Sequence, residues 1–180
     1  NMEIGKKRVA GIIFNECKFS HCVFDNTRFV ETVFDNCTFD NCAFLLADFK
    51  GVGLKSATFE NCKFVGIVFN QDSLQSFLVS FMFRKSKLSS CTFSNLKLDN
   101  AVFRECLIDE ALFESCSLKK ADFNNAQFQR STFTRCNMSG ADFRNTSGAM
   151  IDLKENRTEK TRLSYTSAEE LLIPFGVILE

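Results

Sequence analysis

Residues 22–44 read Cys22-Val23-Phe24-Asp25-Asn26-Thr27-Arg28-Phe29-Val30-Glu31-Thr32-Val33-Phe34-Asp35-Asn36-Cys37-Thr38-Phe39-Asp40-Asn41-Cys42-Ala43-Phe44, with phenylalanine at every fifth position and a compact residue two places before it. An amphipathic helix needs apolar spacings of three and four, and a half-buried strand needs strict alternation, so a spacing of five fits neither. Sustained over a long stretch, it describes a solenoid whose repeats stack on one another.

The pattern extends in both directions from this stretch. One run of centres goes from Phe14 to Phe69 with Leu54 its one substitute, and a second goes from Phe83 to Phe143 with Leu88, Leu98, Ile108, Leu118 and Met138 among its members. All nine cysteines, Cys17, Cys22, Cys37, Cys42, Cys62, Cys91, Cys106, Cys116 and Cys136, share the small register two places before a centre. For cysteines scattered over five registers, that agreement has a chance of about one fifth to the eighth power, so the repeat is not an artefact of composition. The other positions of each pentad are mostly polar and face water in such an arrangement.

Units such as Ala121-Asp122-Phe123-Asn124-Asn125, Ala141-Asp142-Phe143-Arg144-Asn145, Ala47-Asp48-Phe49-Lys50-Gly51 and Cys37-Thr38-Phe39-Asp40-Asn41 resemble the pentapeptide repeat. The resemblance covers residues 12–146. It implies an all-β fold, a right-handed quadrilateral β-helix in which four pentads make one square coil and both the centre and the small residue point inwards. Coils stack at the inter-strand spacing of about 4.8 Å, so side chains twenty residues apart form ladders. Phe24, Phe44 and Phe64 are expected in one column and Cys22, Cys42 and Cys62 in another.

The expected organisation is an N-terminal lead-in over residues 1–11, a first helical part over 12–74, a register break over 75–82, a second part over 83–146, and a C-terminal cap and dimerisation segment over 147–180. At the break, nine residues separate Leu74 from Phe83 where two pentads take ten, and Phe81 falls where a small residue belongs. It reads as a bulge joining two halves, or as a feature for partner contact carried by Gln75, Ser76, Phe77 and Phe81. Near the C-terminus, Ser167-Ala168-Glu169-Glu170 has capping-box spacing, so a short helix is expected to start there and to be limited by Pro174. A short apolar strand is expected over 175–180.

Several chemistries are set aside by composition. The closest cysteine spacing is C-x4-C and the count is odd, which suits neither a structural zinc site nor a disulfide framework. Reduced core thiols fit a cytoplasmic location. Residues 2–14 carry Lys6, Lys7 and Arg8 with an apolar stretch too short for a secretory segment or a membrane span. The single histidine, His21, sits in an outward register, and no phosphate-binding loop is present, so neither an enzyme, a cofactor, a metal nor a small-molecule substrate is expected.

The resemblance further implies a function. Within the family, the Qnr, MfpA, McbG and AlbG branch is thought to present a DNA-like anionic rod to DNA gyrase or topoisomerase IV and to relieve poisoning by quinolones or peptide toxins, as resistance or immunity proteins. Their end-to-end pairing implies a homodimer here through Leu171, Leu172, Phe175, Val177 and Ile178. Net charge is zero, with 22 acidic and 22 basic residues. A DNA mimic in this chain therefore rests on the carboxylates of the N-terminal half, Glu16, Asp25, Glu31, Asp35, Asp40, Asp48 and Glu60. Direct DNA binding is not expected. The alternative is a scaffolding repeat protein that binds an unrelated partner.

Overall fold

The computed structural model describes the backbone of residues 2–3, 7–70 and 74–172 and the side chains of residues 7–70 and 81–172. Its strand pairings are parallel, and most partners lie twenty residues apart: Phe14 beside Phe34, Phe24 beside Phe44, Phe113 beside Phe133. Four pentads close each square coil, and about seven coils stack into a right-handed quadrilateral β-helix. We name its four sides after their first phenylalanines, Phe14, Phe19, Phe24 and Phe29.

The core is an aromatic lattice. Along one side the rings stack, with centroids 4.8 Å apart from Phe24 to Phe44 and 4.7 Å from Phe44 to Phe64. Across a corner they meet edge to face, as Phe39 does Phe44 at 5.5 Å and 70°. Both arrangements suit the ring quadrupole, and each buried ring contributes roughly 1.5–3 kcal/mol gross.

Two residues past each centre the chain turns its corner with a left-handed backbone: φ is 46° at Asn26, 51° at Asn36 and 53° at Asn41. Asparagine tolerates this region better than other non-glycine residues, which explains its frequency there. Most corner N–H groups are satisfied by the next coil, Asn26 donating to Leu45 O at 2.8 Å and Asn41 to Glu60 O at 3.0 Å.

The small register does more than save space. The Cys22 N–H donates to Cys42 Sγ and the Cys42 N–H to Cys62 Sγ, each at 3.4 Å, and the Cys62 N–H continues the ladder to Ser86 Oγ at 3.0 Å. Each thiol in turn donates to a carbonyl, as Cys62 Sγ does to Glu60 O at 3.2 Å. A buried N–H left without a partner costs free energy, so a compact side chain that also accepts a hydrogen bond is favoured. The expected Cys22, Cys42 and Cys62 column is present, and all nine cysteines are free. Cys17 alone among them is half-buried, because it lies in a coil near the N-terminal end of the stack.

The helix runs past both ends of the motif. Arg8–Ala10 pairs with Arg28–Val30, so Val9 stands in the Phe29 column. After Thr146, Met150–Ile151 pairs with Thr132–Phe133 and Arg162–Leu163 with Asp142–Phe143. Asn156 takes the small register in this last coil. Its Oδ1 accepts the Cys136 N–H at 2.8 Å and its Nδ2 donates to Phe133 O at 2.9 Å. The pentad sequence is lost there while its hydrogen-bonding role is kept.

The break is one enlarged coil. Phe59 faces Phe83, Phe64 faces Leu88 and Phe69 faces Phe93, offsets of 24 residues where neighbouring coils have twenty. Four added residues shift a five-residue register by minus one, which accounts for the slip seen in the sequence. The strands Val52–Glu60 and Leu74–Arg84 run side by side across the corner between the Phe14 and Phe19 sides, with bulges opposite Val52–Leu54 and Lys55–Ala57. The aromatic stack continues through this coil, Phe59 to Phe83 at 5.2 Å and Phe69 to Phe93 at 4.8 Å.

At the C-terminal end, the helix α1 spans Tyr165–Leu172, and its cap lies three residues before the one its capping-box spacing predicts. Its cap is Ser164, whose Oγ accepts the Ser167 N–H at 3.2 Å. Ser167 instead lies inside the helix and donates from its hydroxyl to Thr146 O at 2.9 Å, fastening α1 to the rod. The expected terminal strand lies outside the described residues.

Candidate functional site

The seven carboxylates singled out in the N-terminal half spread over all four sides and two corners. Asp25 lies on the Phe24 side and Asp48 on the Phe29 side, where it pairs with Arg28 at 3.2 Å. Asp35 lies on the Phe14 side, bound to Lys55 at 2.7 Å; its other oxygen, Oδ1, is buried without a hydrogen-bond partner. Glu16 and Glu31 occupy corners with left-handed backbones.

Asp40 and Glu60 are the two that come together. They are partners in adjacent coils on the Phe19 side. Asp40 Oδ1 accepts the side-chain amides of Asn41 at 2.9 Å and Asn61 at 3.3 Å. Among the described residues neither carboxylate has a cation within ion-pair distance. Glu16, on the corner between the Phe14 and Phe19 sides, adds a third carboxylate along that edge of the rod.

Charge reverses along the same side. Below Glu60 come Arg84 and then Arg104, ladder partners across the enlarged coil. Further down, Arg104 pairs with Asp122 at 2.5 Å and Arg144 with Asp142 at 2.7 Å. The bidentate Arg144 guanidinium holds the Asp142 carboxyl below its usual range, against the opposing effect of burial. Arg130 pairs with Asp109 and Glu110, and Arg135 with Glu114. Most exposed arginines of the C-terminal half are thus neutralised by a carboxylate on the same coil or about one coil away.

Of the residues assigned to the break, Phe81 is buried and not displayed. It occupies the small register opposite Ala57, is 3% exposed, and packs 5.1 Å from Phe83 and 5.9 Å from Phe69. The alanines at 57 and 101, one coil to either side, leave room for its ring, so no partner reaches it. The side chains of Gln75, Ser76 and Phe77 lie outside the described residues. Of the dimerisation set, Leu171 is 7% exposed against the last coil and Leu172 is half-buried. Phe175, Val177 and Ile178 lie outside the described residues.

Under α1, a cavity of about 180 Å³ is lined by apolar groups of Ile151, Leu153, Leu163, Ala168, Leu171 and Leu172. His21 is exposed and its Nδ1 meets Ser20 Oγ at 2.8 Å. Among the described residues no group of three or more His, Cys, Asp or Glu is placed to hold a metal ion. No described helix is long and apolar enough to cross a membrane.

A family model for the pentapeptide repeat region matches residues 32–111 and again 75–143, and another for eight copies of the pentapeptide repeat matches residues 12–51. The chain belongs to the pentapeptide repeat family. Among solved structures, this pentapeptide repeat protein is similar to a trypsin-treated, singly substituted form of QnrB1, a plasmid-mediated fluoroquinolone resistance protein, with a TM-score of 0.71 and 15% identity over 100% of both chains. It is also similar to a second trypsin-treated form of QnrB1 carrying a different substitution, with a TM-score of 0.66 and 14% identity over 99% of both chains. No curated protein matches it in sequence.

The hydrogen-bonding ladder of the small register escaped the sequence reading, which saw only compactness. Its signal was present: the register holds Cys, Ser and Thr far more often than size alone requires.

Proposed function

We propose that this pentapeptide repeat protein is a non-catalytic, cytoplasmic binding protein that engages DNA gyrase or topoisomerase IV and protects it from quinolones or peptide toxins. The observation that carries the reading is the Asp40–Glu60 pair, two adjacent carboxylates on a flat side with no cation partner among the described residues. Carboxylates fixed at coil spacing, about 4.8 Å, present regularly placed negative charge to a protein groove that holds phosphates with Lys and Arg. Likeness in fold to a fluoroquinolone resistance protein over the full chain supports the same reading. The anionic surface is confined to the first coils, since Arg84 and Arg104 follow on the same side.

The protein is further proposed to form a homodimer through its C-terminal segment. The apolar cavity beneath α1, at the end of the rod, favours a covered end. Light scattering on the full chain and on a form ending at residue 164 distinguishes the cases: a halved mass supports pairing, and a monomeric full chain ends it.

A supercoiling assay with purified gyrase and a quinolone tests the main reading. The wild-type protein is expected to restore supercoiling, and Asp40→Lys with Glu60→Lys to lose that effect while keeping the β-helix. Asp35 is left out of the reversal because its buried Oδ1 and its bond to Lys55 make it part of the fold. If the wild-type protein neither protects nor inhibits either enzyme at about micromolar concentration, where steered association is detectable, a scaffolding role takes its place.

A further inference from the structure

Near the C-terminal end of the rod, on the Phe14 side and its corner with the Phe19 side, lies a cavity of about 450 Å³ lined by Lys119, Lys120, Ser139, Gly140, Arg157, Glu159 and Lys160. Four of the seven residues are cationic and one is acidic. Elsewhere on this half the arginines Arg104, Arg130, Arg135 and Arg144 are each paired with a carboxylate. None of the four cations here has an ion-pair partner among the described residues. The one carboxylate, Glu159, accepts from Ser139 Oγ at 2.9 Å through its Oε2, and Arg157 acts on it from beyond ion-pair distance.

The corner column reads Lys120, Gly140, Lys160, and Gly140 has φ of 73°. Among the described residues twenty-two with positive φ are not glycine, Lys120 and Lys160 on this same corner among them, so the backbone does not demand a glycine here. A Cβ on Gly140 meets nothing closer than Lys120 Cγ at 3.5 Å, so packing does not demand it either. Its effect is to leave a gap between two lysines held two coil spacings apart, about 9.6 Å.

We propose that this cavity is a binding site for a short chain of linked phosphates, held between Lys120 and Lys160 with Lys119 and Arg157 at its flank. Lysine binds phosphate as a point charge and arginine through a planar fork, and four such groups around one opening favour an extended oligoanion over a single phosphate. The lining contains no aromatic ring to stack a base, so recognition stops at the phosphates. The site lies apart from the Asp40–Glu60 pair, and its test is independent of any topoisomerase.

Isothermal titration of the full-length protein with sodium tripolyphosphate is expected to show saturable one-to-one binding that weakens as salt rises. Orthophosphate should bind more weakly, and ATP within a few-fold of tripolyphosphate; an ATP affinity well above tripolyphosphate would overturn a site that reads phosphates alone. Lys120→Glu with Lys160→Glu should weaken tripolyphosphate about tenfold or more through lost Coulomb attraction. Gly140→Asn fills the gap and keeps every charge, on a corner column where Asn100 already adopts a left-handed backbone with φ of 62°. It should weaken binding with the melting temperature unchanged. No saturable binding, or equal losses in a Lys85→Glu, Lys87→Glu control, would overturn the proposal as mere surface charge.

Discussion

The hydroxyl of Ser131 accepts the backbone N–H of Ala111, one coil earlier, at 3.0 Å, and donates to Ile108 O at 2.9 Å. Ser131 is fully buried, so both groups depend on it. Ser131→Ala leaves a buried donor without a partner and should cost about 1–3 kcal/mol in urea unfolding. Ser131→Cys, the residue this register uses nine times, should recover most of the loss. Equal stability of the alanine variant and the wild type would show that water enters the ladder.

At Phe81 the repeat pattern and the structure make opposite predictions. The pattern favours a small residue there. The packing of its ring against Phe69 and Phe83 favours the phenylalanine. Phe81→Ala is expected to destabilise by about 3–5 kcal/mol, the usual cost of emptying a buried aromatic site. A neutral or stabilised variant would mean that the enlarged coil collapses onto the ordinary motif.

Thiol chemistry reports the core directly. Burial pushes the Cys91 thiol up to about 11 and Cys106 up to about 12, so both remain protonated and unreactive near neutral pH. Cys17 is half-buried while the other eight are buried. With an aromatic disulfide reagent, one thiol should react rapidly in the native protein and all nine after denaturation. Loss of the fast phase in Cys17→Ser checks the assignment.

Asp142 supplies a pH-dependent contribution. Its carboxyl is held below the ordinary range, first by the hydrogen bonds from Arg144. A depressed native value stabilises the fold above the unfolded carboxylate value of about 3.9 and is lost as pH falls through the native value. Asp142→Asn should therefore cost about 1 kcal/mol near neutral pH, a modest figure because solvent screens the half-exposed Arg144. The gap between variant and wild type should hold down to about pH 4 and close below it. A gap that persists unchanged in acid would assign the effect to packing.

The body of the fold was legible because one period governs its coils apart from the enlarged one: Phe24, Phe44 and Phe64 stack as twenty-residue spacing requires. The outermost coils were not, because Asn156, Ile151 and Leu163 perform the repeat's work without its sequence. The helix cap was misplaced by a rival serine, since Ser164 and Ser167 both precede a residue three places on that can complete a cap. Of the seven acidic residues only Glu16 and Glu31 are fully exposed, the other five being partly buried, and neither that difference nor the convergence of two of them was legible. Which carboxylates meet depends on side and coil, and only Asp40 and Glu60 share both a side and adjacent coils.

The unbroken passage of aromatic rings through the enlarged coil bears on how the rod comes apart. In a stack of units that touch only their neighbours, unfolding divides wherever one interface is weaker than the rest. Phe59 and Phe83, Phe69 and Phe93 keep contact across the 24-residue coil as closely as rings elsewhere. The irregular backbone therefore marks no seam, and the two halves should melt together in a single transition.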